Sequence, residues 1–223
     1  VYIVTPVPLH FATDIFHEQF CQRAVLRGIA DYETRPSRAA EDARNQIMRE
    51  VLKRGGYSHF FFLDADSFPY DEFAIEKLMM HNKPVIAGPT PTQRQPVDVA
   101  KMDLFSGSYQ TERSRIRRLW NVVVEKDGKL KSLHRNEFKP ELDELPKNLF
   151  KCVHVGCTGL LVSVDVIAKL KEPFQKTERD NLGNVVLSED YYFCQNIRNA
   201  GYDIWIDPAI KSGHRQTIDI GAY

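Results

Sequence analysis

The chain has 223 residues, 43% of them hydrophobic, and its lysine plus arginine balance aspartate plus glutamate at 30 each. That length and apolar content suffice for a sizeable core and fit one large domain better than two, while the balanced charge excludes a global field drawing the protein to nucleic acid or an anionic membrane. No apolar run approaches the ~20 residues a bilayer requires, and the start VYIVTPVPLHF carries neither a basic leader nor a small-residue cleavage site, so a soluble cytoplasmic protein is expected.

VYIVTPV is a β-branched run stopped by Pro6 and Pro8, predicting a buried strand and a loop. From Ala39 to Arg54 the apolar residues Ala43, Ile47, Met48, Val51 and Leu52 share one helical face, and Gly55 and Gly56 end the helix. The strand HFFFLDAD follows at once, then a helix from Asp71 to Met80 and a strand PVIAG after Pro84. A long polar segment comes next, and within it RLWNVVVEKDGKLKSL predicts a hairpin turning at Asp127 and Gly128. A strand TGLLVSV, a helix VDVIAKL, a helix from Ser188 to Ala200 closed by Gly201, and a strand YDIWID complete the series. Strands alternating with helices predict an α/β fold with an open, largely parallel sheet, into which the hairpin region is inserted. Four cysteines without a CxxC pair predict buried free thiols rather than a disulfide framework. Cys152, His154 and Cys157 could be imagined as zinc ligands, but they sit in what reads as an apolar strand and its bend.

The stretch HFFFLDADSF carries the first chemical signal. Asp64 and Asp66 lie where the apolar run stops, at the carboxyl end of a strand, which is where open α/β sheets bind ligands. Residues two apart in extended chain point to the same side, so both carboxylates can face one small volume. Like charges that close repel unless a cation joins them, and a hard divalent ion such as Mg²⁺ or Mn²⁺ bridges carboxylates to a substrate phosphate. The plainer alternative is a turn solvated by both aspartates.

Two enzyme classes end a strand in DxD. In haloacid-dehalogenase-type phosphatases the first aspartate is a nucleophile and the second a general acid, typically with Thr or Val two residues on. Here that position is Phe68, and the motif arrives only after a complete strand-helix unit. The other class is the GT-A fold glycosyltransferases, which the chain resembles in three blocks. ARNQIMREVLKRGGYSHFFFLDADSFPYDEFAIEKLMMHNKPVIAG is similar to their donor-binding half, VGCTGLLVSVDVIAKL to their acceptor-side loop, strand and helix, and LSEDYYFCQNIRNAGYDIWIDPAIKSGH to their closing block. The resemblance does not cover Thr92 to Phe150 well.

This resemblance implies one GT-A domain over 1–223, with an open mixed, mostly parallel sheet flanked by helices. Residues 1–91 would form the nucleotide-sugar donor half, and 92–223 the acceptor half with a variable insertion at 92–150. It implies transfer of a sugar from a nucleotide-diphosphate-sugar, with UDP the expected nucleotide, to an acceptor hydroxyl. Asp66 would hold the metal, with Asp64 assisting it or bonding the ribose, and His214 would be a third metal ligand; the imidazole points to Mn²⁺ over Mg²⁺. Asp190, or else Glu189, would be the general base, supporting inversion at the anomeric carbon. Both acidic residues are equally suited to the first turn of a helix capped by Ser188. Arg44 and Asn45 would approach the donor nucleotide, although Arg44 could simply pair with Glu41 or Asp42 on the surface. Thr5 and Pro6 would cradle the nucleobase, and Gly156 and Gly159 would let backbone amides approach the sugar or acceptor.

For the acceptor the sequence offers a local cluster, Arg113, Arg115, Arg117 and Arg118 beside Tyr109 and Trp120. Such a cluster could hold phosphates of DNA carrying a hydroxylated base, the phosphate of a lipid-linked glycan, or an acidic glycan. A solvated face offset by Glu112 and the later ELDEL is the competing reading. Two other functions remain open: a non-catalytic nucleotide- or carbohydrate-binding module on the same scaffold, and a nucleotidyltransferase, which would normally carry a glycine-rich basic loop that TPVPLHFATD lacks.

Overall fold

The computed structural model describes residues 1–9, 13–94, 117–135, 143–175, 177–179, 181 and 185–214. β1 (Tyr2–Pro8) is followed by α1 (Ile15–Leu26), β2 (Asp31–Ser37), α2 (Ala40–Arg54), β3 (His59–Phe62) and a short β4 (Ser67–Pro69). Then come α3 (Ala74–Met80), β5 (Val85–Ala87), β6 (Pro91–Arg94), the long hairpin β7 (Arg117–Lys126) and β8 (Lys129–His134), β9 (Phe150–Cys152), β10 (His154–Val155) and β11 (Leu160–Ser163). α4 (Val164–Lys169), β12 (Glu178–Arg179), β13 (Val185–Leu187), α5 (Glu189–Asn199), β14 (Ile204–Ile206) and β15 (Ser212–His214) complete the described chain. Among the described residues no helix is long and apolar enough to cross a membrane.

The fold is mixed α/β around a seven-stranded sheet in the order β2-β1-β3-β11-β5-β14-β9. β2, β1, β3, β5 and β14 run one way, whereas β11 and β9 run against them. Both faces of this sheet are covered, which is why its central strand reads as an unbroken apolar run. Tyr2, Val4, Phe60 and Phe62 pack with α2 and α5 into one core; Ile3, Phe61 and Leu63 pack with α1 and α3 into the other. Phe62, Phe174 and Phe193 form a compact aromatic group, with the last two stacked at 4.1 Å between centroids.

A second sheet joins β10, β7 and β6, with β8 paired to β7. Asp127 and Gly128, both at positive φ of 53° and 69°, make the turn between β7 and β8 as the sequence predicts. α1 and β2 have no counterpart among the predicted elements. The first strand also runs on through Pro6 to Pro8 rather than stopping there. Beyond Val4 it keeps only β2 as a neighbour, since its pairing with β3 ends at Val4 opposite Phe62, so the missing N–H of Pro6 breaks no ladder on that side.

That divergence creates the space for a site. β1 and β2 continue while β3 ends, and a cleft opens past its carboxyl end. β15 closes the far side by pairing antiparallel with β4, with His214 opposite Ser67. The approach to β15 depends on Gly88: a Cβ there would stand 1.8 Å from the Ile210 carbonyl oxygen. Gly88→Ala is therefore expected to cost about 3 kcal/mol, lowering Tm by roughly 6–12 °C in a thermal melt. An unchanged melt would show that the segment before β15 yields freely.

Candidate functional site

The cleft has a volume of about 340 Å³ and is lined by Pro6 and Val7 of β1, Ser37 and Arg38 at the entry to α2, and by Arg44, Asp64, Asp66, Glu189 and His214. The site thus draws on the ends of three parallel strands, the first turns of two helices and the antiparallel β4–β15 pair.

Arg44 is its centre. α2 presents this residue on its buried face, leaving its side chain 3% exposed. Its Nη2 donates to Asp64 Oδ1 at 2.7 Å, and Nη1 lies 3.4 Å from Glu189 Oε1 and 3.5 Å from Asp190 Oδ1. The guanidinium rests over the Phe174 ring, 5.2 Å from its centroid. The pairing with Glu41 or Asp42 weighed from sequence is replaced by these three distant carboxylates. One cation among three carboxylates leaves the cluster anionic, and the surplus falls on Asp190. Burial pushes that carboxyl up to about 6; Arg44 opposes the rise, and Glu189 and Asp64 reinforce it.

Asp64 experiences the opposite balance. Burial alone would raise it, but Arg44 and the Thr158 hydroxyl, which donates to Oδ2 at 2.6 Å, hold it below the usual carboxylate range. The Asp64 amide donates back to Thr158 Oγ1 at 3.1 Å. Both Asp64 carboxylate oxygens are thus engaged within the protein, although Asp64 and Asp66 line the same cleft. Asp66 instead stands at the mouth, with Oδ2 3.2 Å from His214 Nε2. The Asp66 hydrogen bond raises the His214 pKa against the effect of burial.

Among the described residues no group of three or more His, Cys, Asp or Glu side chains is arranged to hold a metal ion. Asp66 and His214 nevertheless bring an oxygen and an imidazole donor together across 148 residues of chain. This pair fits a divalent ion whose other ligands come from outside the protein. The four cysteines are free and buried.

Three of the residues expected to meet the nucleotide or sugar serve the scaffold. Thr5 is fully buried and turns its hydroxyl to His17 Nε2 at 3.2 Å, so that Pro6 and Val7 take the cleft face. Asn45 clamps the backbone of Phe174, donating to its carbonyl at 2.9 Å and accepting from its amide at 3.2 Å. Gly159, at φ +76°, packs where a Cβ would stand 3.2 Å from Ser212 Oγ. Arg113 and Arg115 lie outside the described residues, while Arg117 and Arg118 fall at the start of β7.

His17 carries no functional mark in the sequence. It lies on the buried face of α1, and its Nδ1 is 3.1 Å from the Ser67 carbonyl, so the ring supports the aspartate turn from beneath. Burial lowers its pKa and keeps it neutral at pH 7, with Nδ1 donating to Ser67 and Nε2 accepting from Thr5. The only available signal was a histidine among Phe20, Cys21 and Ala24 at helical spacing.

No protein-family model and no curated protein matches the sequence. Among solved structures, the chain is similar to A197 from STIV, with a TM-score of 0.54 and 13% identity over 97% of this chain and 87% of that one. That likeness is one of fold. A second structure, GalNAc-T7 with UDP, GalNAc and Mn²⁺, aligns with a TM-score of 0.47 and 8% identity over 96% of this chain, which spans 38% of its length.

Proposed function

We propose that this protein is a metal-dependent glycosyltransferase of the GT-A type, taking a sugar from a nucleotide-diphosphate-sugar, with UDP the expected nucleotide, to an acceptor hydroxyl. The observation that carries the reading is the meeting of Asp66 and His214 at the mouth of a cleft whose inner wall holds Arg44, Asp64 and Glu189, with Asp190 bound to the same guanidinium from beyond that wall. Residues 1–91 supply most of the donor cleft; 92–223, with the insertion at 92–150, form the acceptor half.

Asp66 and His214 would hold Mn²⁺ or Mg²⁺, which when bound supplies positive charge to the departing diphosphate oxygens. The chain's own residues do the remaining work. Arg38, exposed at the entrance and beside the amino end of α2, offers a cation to the donor phosphates. Asp64 is fixed by Arg44 and Thr158, presenting a rigid anionic wall suited to ribose hydroxyls. Asp190 takes the acceptor proton as the acceptor oxygen bonds to the anomeric carbon; the bond from that carbon to the diphosphate breaks, and its electron pair leaves with the nucleoside diphosphate. Direct displacement inverts the anomeric centre, and proton NMR of the product reads this: a product of retained configuration would remove Asp190 from the role of base.

One observation favours a second reading, a non-catalytic nucleotide- or carbohydrate-binding module: Asp64 spends both oxygens within the protein and leaves two donors for a metal. The same engagement disfavours a phosphatase, which would need Asp64 free as a nucleophile. Calorimetric titration with UDP, GDP, ADP and CDP, each with and without Mn²⁺, tests the donor site. One diphosphate is expected to bind with metal dependence, and Asp66→Ala to weaken it by at least about tenfold, the loss of a charge-assisted contact. Binding without turnover of any nucleotide-sugar would favour the module. Absence of binding would leave a likeness of scaffold only.

A further inference from the structure

A second cleft of about 180 Å³ lies on the other side of Asp190, against the sheet that contains the hairpin. Glu189 and Asp190 are adjacent in the first turn of α5, yet Glu189 lines the larger cleft and Asp190 the smaller. The carboxylate that would accept the proton therefore looks onto a space separate from the metal-side wall. Four strands contribute hydrogen-bonding groups to this space: Thr92 from β6, Asn121 from β7, Ser132 from β8 and His154 from β10.

The geometry of these groups is set by the sheet. The Thr90 amide donates to Asn121 Oδ1 at 2.8 Å, which turns the Asn121 amino group toward Gly156. A Cβ on Gly156 would stand 3.0 Å from that nitrogen, so glycine keeps the space open. Trp120 adds a buried aromatic surface, its indole N–H already satisfied by Asp143 at 2.8 Å. Among the described residues no lysine or arginine lines the cleft; Arg135 and Lys211 lie over the Trp120 ring and are not among its lining residues.

We infer that this smaller cleft is the acceptor subsite and that it takes a single neutral sugar ring, one hydroxyl of which meets Asp190. The inference rests on the donor reading of the larger cleft and names the acceptor class for it. A space below the ~300 Å³ of drug-sized pockets suits one ring rather than an extended chain. Neutral donors and acceptors around an aromatic wall match hydroxyl groups and an apolar ring face. A phosphate or uronate placed here would meet the Asp190 carboxylate, whose cation Arg44 is already shared with Asp64 and Glu189, and no lysine or arginine among the described lining residues would offset the added charge. An acceptor held by the arginine-rich segment is the competing outcome.

Saturation-transfer NMR on the full chain tests this directly, using the methyl pyranosides of glucose, galactose and mannose and the 6-phosphate of each. At least one neutral pyranoside is expected to bind, its 6-phosphate to bind more weakly, and Ser132→Ala and Asn121→Ala each to weaken the pyranoside about three- to tenfold, the loss of one hydrogen bond. Ser132→Ala leaves the sheet backbone and the Thr90 contact intact, so its result stands even if Asn121→Ala fails to fold. Phosphates binding as well as the neutral sugars, signals unmoved by Ser132→Ala, or silence from every pyranoside would each overturn the inference. The nucleotide titration above is a separate readout. Sugar binding lost with nucleotide binding intact removes the acceptor assignment alone, whereas nucleotide binding lost with sugar binding intact removes the donor reading and leaves a sugar site.

Discussion

Asp190→Asn is expected to abolish most turnover while making the protein more stable at alkaline pH. The two effects share one cause. Burial raises this carboxyl to about 6, with Glu189 and Asp64 adding to the rise and Arg44 opposing it. A folded-state value above the ordinary 3.8 of the same residue means that the fold favours the protonated form. Its contribution to stability is then fully present below about pH 4, is lost as pH rises through about 6, and becomes a standing cost of ionisation above that. Asparagine cannot ionise, so at pH 8 the variant should gain about 1–3 kcal/mol, a gain that vanishes near pH 4. Chemical denaturation at the two pH values measures it. Transfer should fall by roughly 10²–10⁴ with nucleotide affinity unchanged. On the proposed function, transfer by the native protein should rise through about pH 6 and then level off, as expected of a base that must be ionised to act. Equal turnover by the variant would remove Asp190 as base; equal stability at both pH values would mean that water reaches the carboxylate freely.

The parts of the fold legible in sequence are those whose signal is local. HFFF reads as a buried strand because its residues alternate between two cores: Phe60 and Phe62 face α2 and α5, and Phe61 faces α1 and α3. α5 is marked at both ends, by Ser188, whose hydroxyl accepts from the Tyr191 amide at 3.2 Å, and by Gly201 at φ +87°. α3 begins three residues later than expected, at Ala74, because Asp71 turns back to accept from the Phe73 amide at 2.9 Å. β2, by contrast, has no apolar pattern to read. DYETRPS is half-buried and polar along most of its length, and its extended form comes from seven residues paired to β1. α1 was obscured differently: Ile15, Phe16, Val25 and Leu26 are apolar yet exposed, which blurs the helical stripe formed by Phe20, Cys21 and Ala24.

Strand direction was equally hidden. TGLLVSV predicts a strand, but nothing in those residues states that β11 runs against β3 and β5 on either side. Within the site, Asp64, Asp66, Glu189 and Asp190 stand out in sequence because carboxylates held that close repel one another and call for a cation. What each one touches depends on long-range pairing. The partners of Arg44 lie 20, 145 and 146 residues away, and local spacing favours Glu41 and Asp42 instead. His214 becomes a neighbour of Asp66 only through the β4–β15 pairing, with register fixed by Gly213: a Cβ there would stand 2.7 Å from the Phe68 ring.

Arg44→Met tests whether this long-range cluster holds the domain together as well as the site. Methionine preserves much of the stem against Phe174 and removes the charge, leaving Asp64, Glu189 and Asp190 facing one another across a space that had held a guanidinium. Removing one partner of a wholly buried pair costs about 3–5 kcal/mol. Here the three carboxylates are 21–35% exposed, so water screens part of the repulsion and about 2–4 kcal/mol is expected at pH 7. The pH dependence distinguishes charge from packing. Asp64 has a depressed folded-state value, so its contribution to native stability is present above the ordinary carboxylate pKa and fades as pH falls through the lower value. In the variant that contribution is absent and the repelling carboxylates are relieved by protonation. The gap between native and variant should therefore narrow from pH 7 to pH 4 as the variant's repelling carboxylates protonate, and narrow further below pH 4 as the native Asp64 contribution fades. A gap that stays constant over that range would mean that Arg44 stabilises the fold through its contact with Phe174 rather than through its charge, and that Asp190 owes its raised value to burial alone.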